Sequence, residues 1–330
     1  MAARRLQAPA VATAVVALAL LCGLASAAAA KPKPKPTPKP GGGGEIVITV
    51  TIRWRRDYKV ACKDKGGPDC HVGCPKECPN KCLVSCTRCR SFCTCDMVPG
   101  TTCGDPRFTG GDGNTFYFHG KKGQNFCILS DADLHINAHF IGNHNADLNR
   151  DFTWVQALGI AFGNHTFYIG AHKAATWDEE EDHIQVAFDG EPVDVDPVMN
   201  ARWAPRGLPG LSVTRTADVN TVMVELDGVF AISANAVPVT DEDDRVHRYG
   251  RTDKDSLVHL DLGFKFWNLT GDVDGVLGQT YGPGYVSKLD IGAKMPIMGG
   301  APRYLSSGLF ATDCAVSKFQ TALAAAAASY

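Results

Sequence analysis

Between Cys74 and Cys95 the chain reads CPKECPNKCLVSCTRCRSFCTC, seven cysteines in twenty-two residues. Three more, at Cys62, Cys70 and Cys103, bring ten cysteines into residues 62–103. So dense a run admits a zinc cage, a redox device or a disulfide framework, and the compartment decides among them. The N-terminus reads MAARRLQAPAVATAVVALALLCGLASAAAA. Arg4 and Arg5 form a basic start, and an apolar run and the small-residue site Ala25-Ser26-Ala27 follow. This is the pattern of a secretory signal peptide over residues 1–30. The apolar run is about 15 residues, short of the roughly 20 that a helical span needs. Cys22 leaves with the signal, and twelve of the thirteen cysteines remain. An even set in an oxidising compartment reads as disulfides. Two-pair zinc motifs are spaced differently, with about 12–20 residues between the pairs. The candidate disulfide cysteines are Cys62, Cys70, Cys74, Cys78, Cys82, Cys86, Cys89, Cys93, Cys95, Cys103, Cys127 and Cys314.

The segment holds few large apolar residues, so cross-links must supply much of its stability. Residues 45–103 therefore read as a strand, EIVITVTIRW, followed by a disulfide-rich segment. Before it, residues 31–44 read KPKPKPTPKPGGGG, a cationic polyproline rod ending in a glycine swivel. With 33 basic and 35 acidic residues the whole chain has no field suited to nucleic acid. The local lysines instead fit either a solvated linker or a tether to an acidic polymer such as a wall polysaccharide.

Residues 104–315 alternate apolar and polar positions in TFYFH, LHINAHFI, HTFYIG, HIQVAF, LSVTRT and HLDLGFKFW. That period marks half-buried strands. In VNTVMVELDGVFAISANA, Asp227-Gly228 predicts a hairpin with a type I′ turn, and Asp189-Gly190 marks another turn. The expected fold is mainly β, an antiparallel sandwich or barrel-like domain preceded by the small disulfide-rich segment. Residues 316–330 read as an Ala-rich tail.

No catalytic constellation emerges, and the chain is expected to be a non-enzyme without cofactor or metal. His135 and His139 are spaced four apart, as for zinc on a helix. Their segment alternates like a strand, where they would only share a face. DEEED at 178–182 and DEDD at 241–244 read as solvated loops. Asn164 and Asn268 head N-x-T sequons, so glycosylation is expected there if they are exposed.

The stretch CGDPRFTGGDGNTFYFHG, then a cysteine before an apolar strand, and far downstream GDVDGVLGQTYGP, resembles a von Willebrand factor type D domain. With DFTWVQALGIAF, DVDGVLGQTY and MPIMGGAPRYLSSGLFATDC, the chain is more closely similar to the plant root cap domain family, late-embryogenesis-abundant-like secreted proteins, over about residues 60–320. That resemblance implies an extracellular protein with no established enzymatic activity. Arg107 stands where the type D motif has a self-cleaving His, so the Asp105-Pro106 bond is expected to stay intact. Gln279-Thr280-Tyr281-Gly282-Pro283 lacks the acidic ligands calcium needs. Leu277 replaces the motif's cysteine. The resemblance thus implies that Cys103 pairs backwards into the cluster. It also implies that Cys127 and Cys314, which otherwise pair together or stay free, form a bridge. The expected function is that of a secreted structural or interaction protein of the plant cell wall or mucilage. Its partners would be acidic wall polysaccharide or extracellular proteins, with no nucleic acid and no membrane after signal cleavage. The alternative is an uncharacterised enzyme or ligand-binding module acting on wall polysaccharide.

Overall fold

The computed structural model describes residues 47–51, 60–62, 70–75, 81–144 and 151–320. The signal, the Pro/Lys arm, Cys78 and residues 321–330 lie outside them. The first strands are β1 (Val47–Thr51), β2 (Val60–Cys62), β3 (Cys70–Val72), β4 (Lys81–Ser85) and β5 (Arg90–Cys93). β1, β4 and β5 form one antiparallel sheet, and β2 pairs with β3. The buried centre of this segment is Cys62, Cys70, Cys82 and Val84, cystine sulfur rather than aliphatic bulk. Bridges Cys62–Cys86, Cys70–Cys89, Cys74–Cys82 and Cys95–Cys103 hold it, and Cys93 is also disulfide-bonded. Cys103 thus pairs inside the cluster.

After a single helical turn, α1 (Thr94–Met97), come β6 (Thr101–Cys103), β7 (Arg107–Thr109), β8 (Thr115–Tyr117), β9 (Gln124–Ser130) and β10 (Leu134–His144). Next are β11 (Asp151–Phe162), β12 (His165–Ala171), β13 (Ile184–Phe188), β14 (Glu191–Pro192), β15 (Arg202–Trp203) and β16 (Leu211–Arg215). β17 (Thr221–Leu226), β18 (Phe230–Val237), helix α2 (Asp241–His247), β19 (His259–Phe266), helix α3 (Ala301–Tyr304) and β20 (Leu305–Ser306) complete the order. One sheet runs β14-β13-β12-β11-β10-β9-β20 and another runs β15-β16-β17-β18-β19-β6-β7-β8. The ladders within both are antiparallel, as the alternation predicts.

The two large sheets share one core. Leu158 and Ile160 of β11 join Ile232 of β18 and Leu260 and Leu262 of β19 in it. Phe162 and Phe230 meet edge to face with ring centroids 5.8 Å apart. β11 is buried on both sides: its outer face carries Phe152 and Trp154, which pack with Val239 and Leu257.

The turns differ from expectation in type. Leu226 pairs with Phe230, leaving a three-residue loop in which only Gly228 has positive φ, 72°. A type I′ turn needs positive φ at both central residues. Asp189 (49°) and Gly190 (84°) meet that condition, between the paired Phe188 and Glu191. The acidic run at 241–244 is the first turn of α2, not a loop. Thr240 and Asp243 form its capping box, and the carboxylates face the positive helix end.

Candidate functional site

The site lies where the C-terminal segment closes over β9 and β10. Strand periodicity puts Ile136, Ala138 and Phe140 into the core, while His135, Asn137 and His139 share the opposite face. A register shift between Ile136 and Asn137 sets Asn137 opposite Cys127 and His135 opposite Ser130. β20 then pairs with β9, placing Ser306 opposite Asn125. The DVDGVLGQTY stretch follows β9 as well: the Val276 and Leu277 amides donate to the carbonyls of Cys127 and Ile128 at 3.0 and 2.9 Å. Gly275 allows that approach, with φ 113° and a missing Cβ that would sit 2.6 Å from the Ile128 oxygen.

Cys127, His135 and Cys314 converge there. Their ligand atoms lie within 4.8 Å of one another, and all three side chains are buried. The Cys127 Sγ is 3.9 Å from His135 Nε2. His135 Nδ1 is 2.8 Å from Ser130 Oγ, and Nε2 is 3.0 Å from Asn137 Oδ1. Ser130 Oγ also accepts the Lys318 amide at 2.8 Å.

The expected Cys127–Cys314 bridge is therefore corrected: the two are neighbours, but both are free thiols. The physical difference from a simple clamp is the His135 imidazole, whose Nε2 faces the Cys127 sulfur. The thiols are unequal. A hydrogen bond to Cys314 and burial push Cys127 up, while the same hydrogen bond pulls Cys314 down. Burial lowers His135, which favours its neutral ring.

Asn137 binds this cluster to the chain end. Its Nδ2 faces the carbonyls of Gly308, Leu309 and Ala311 at 3.3, 3.1 and 2.6 Å, and Ser306 Oγ at 3.2 Å. Just outside is an open pocket of about 360 Å³ lined by Gly123, Gln124, Asn125, Leu305, Ser306, Ser307 and Asp313. His139 Nδ1 braces its Asn125 at 2.9 Å. Asp313 accepts from the Ser307 amide at 3.1 Å, and the hydrogen bonds from Ser307 hold its carboxyl below the usual carboxylate range. Amides, hydroxyls and one carboxylate suit a hydroxylated ligand.

The other singled-out residues lie elsewhere. Asp182, in the first acidic run, is paired with Arg215 and accepts the Asn220 amide at 2.9 Å, so it is structural. Arg107 is in β7, and Asp105 is 3.5 Å from His119 Nδ1. Asn164 and Asn268 are both exposed. Asn137, Asn125 and Asp313 carry no motif that sequence reasoning could have read. Their meeting depends on the β9–β10 register and the fold of the chain end.

Residues 263–319 match the family model described as Root cap. That match supports the root cap family, and it covers β20, the loop that engages Asn137, and Cys314. No curated protein matches the chain.

Proposed function

We propose that this is a secreted, non-catalytic interaction protein of the plant cell wall or extracellular mucilage, with a von Willebrand D-like main domain. The observation that carries this reading is the disulfide-dense segment, with four bridges among its described residues and Cys93 bonded as well. Such cross-links persist in oxidising compartments. The secretory pattern at the N-terminus and the Root cap match support it. The polar pocket beside β20 favours one version of this role, in which the partner is a wall polysaccharide. Residues 31–44 would add ionic attraction to acidic polymers, screened by salt.

The test is binding of the mature protein to an array of wall polysaccharides, beside a variant beginning at Glu45, at low and high salt. Retention on polygalacturonate that drops in the variant and at high salt is expected. Equal retention of both proteins at low salt removes the role of the arm. Binding to no polymer removes the polysaccharide partner. Retention of the protein inside plant cells, followed with a fluorescent fusion, removes the secreted role.

A further inference from the structure

The geometry points to a zinc-binding site formed by Cys127 Sγ, His135 Nε2 and Cys314 Sγ. Tetrahedral zinc, with Zn–S of about 2.3 Å and Zn–N of about 2.0–2.1 Å, spaces sulfur and nitrogen ligands roughly 3.6 Å apart. The Cys127 sulfur and His135 Nε2 stand 3.9 Å apart, and all three ligand atoms fall within 4.8 Å. Little movement is needed to seat an ion between them.

Charge selects the metal. Two thiolates and a neutral imidazole around a divalent ion sum to zero, whereas a monovalent copper ion would leave a net negative charge. A buried site with no net charge avoids the larger desolvation cost. On binding, two thiol protons pass to solvent. The imidazole proton moves to Nδ1, where Ser130 Oγ at 2.8 Å can accept it. That is the usual support of a metal-bound histidine. Asn137 Oδ1, 3.0 Å from Nε2, accepts the proton that the ion would replace.

Because Cys314 lies far from β9 and β10 in sequence, the ion would join those strands to the segment that follows β20 and couple metal binding to folding. This site is independent of the polysaccharide reading above.

The test uses the mature protein secreted from eukaryotic cells in zinc-containing medium and purified without chelator. Elemental analysis should give about one zinc per chain. Cobalt exchanged into the protein should show sulfur-to-metal charge-transfer absorption. His135→Gln should abolish retention, while Ser130→Ala should weaken it about 10–100-fold through the lost support of Nδ1. Val198→Ala, at an exposed position between β14 and β15, should leave it unchanged. A disulfide clamp would be indifferent to His135. Should the variants fold poorly, alkylation and mass spectrometry of the native protein still decide. Cys127 and Cys314 found as thiols that react only after metal removal support the site. A Cys127–Cys314 disulfide peptide, reduced thiols with no zinc after incubation, or copper in place of zinc overturns it.

Discussion

The side-chain amide of Asn137 in β10 donates to the carbonyl oxygen of Ala311 at 2.6 Å, across 174 positions of sequence. The same nitrogen faces Ser306, Gly308 and Leu309. One fully buried amide therefore organises the whole turn after β20. Asn137→Leu would fill similar space but strand these acceptors. Each buried group left unsatisfied costs about 1–3 kcal/mol, so a loss of about 2–4 kcal/mol is expected in urea unfolding. A loss below about 1 kcal/mol, within the range of an ordinary substitution, would show that water or a shifted loop replaces the amide.

Gly275 carries the second prediction. A methyl group there would meet the Ile128 carbonyl oxygen at 2.6 Å in a backbone with φ 113°. Gly275→Ala should cost at least about 3 kcal/mol, or prevent secretion of folded protein. Gly284→Ala, where a Cβ meets nothing within 4 Å, is the matched control. Equal melting temperatures for the two variants would contradict the packing against β9.

Removing the Cys95–Cys103 bridge in a double serine variant should destabilise the protein. The chain-entropy relation gives about 2.5 kcal/mol for so short a loop. The separation is 8 residues, against 24 for Cys62–Cys86. Removing Cys62–Cys86 should accordingly cost more, about 3.4 kcal/mol. Thermal unfolding of the two variants side by side checks the order, and the reverse order would show that packing, not loop length, governs the segment.

Stability should fall on acidification below about pH 6.5. His259 is buried, its Nδ1 lies 2.9 Å from the Leu257 carbonyl, and burial lowers its proton affinity from the ordinary 6.5. The unfolded chain then binds the proton that the folded one resists, so stability is full above the unfolded value and declines as pH drops toward the folded one. His259→Gln should flatten the melting temperature between pH 7 and pH 5. An unchanged slope would assign the acid sensitivity to other groups.

Asn164 should carry a glycan. It follows Gly163 in the tight loop between β11 and β12, where Phe162 pairs with His165, and it is exposed. Asn268 is exposed too, but its Nδ2 donates to the Gly228 carbonyl at 3.1 Å. Treatment of the secreted protein with an amidase that removes N-glycans should convert Asn164 to Asp in the mass spectrum. An unmodified Asn164 peptide as the sole form would refute this.

Strands whose two faces meet different surroundings were legible. LHINAHFI and HLDLGFKFW became β10 and β19 because alternation records a core on one side. DFTWVQALGIAF carries no such record. As β11 it has Val155, Leu158 and Ile160 in one core and Phe152 and Trp154 in another, so both faces favour apolar residues. The type I′ turn was misplaced because Asp-Gly occurs at both 189–190 and 227–228, and strand register decides which loop is two residues long. The helix at 241–247 did have a local signal, Thr240 followed three residues later by Asp243, hidden within a run of acids. At the site, the shared face of His135 and His139 follows from strand period. The approach of Cys314 to His135 does not, because it depends on the long-range closure of the chain.

β20, the last strand among the described residues, lies at the edge of its sheet beside β9. During synthesis β9 is made early, and its partner emerges only after residues 131–304 have been translated. Until then the backbone of β9 at Asn125 and Phe126, which residues 274–277 do not cover, forms an open template for other chains. A chain ending before Leu305 would keep that exposed edge permanently. Such a product should associate with its own copies, so the emergence of Leu305 and Ser306 is itself the event that closes this stretch of the sheet.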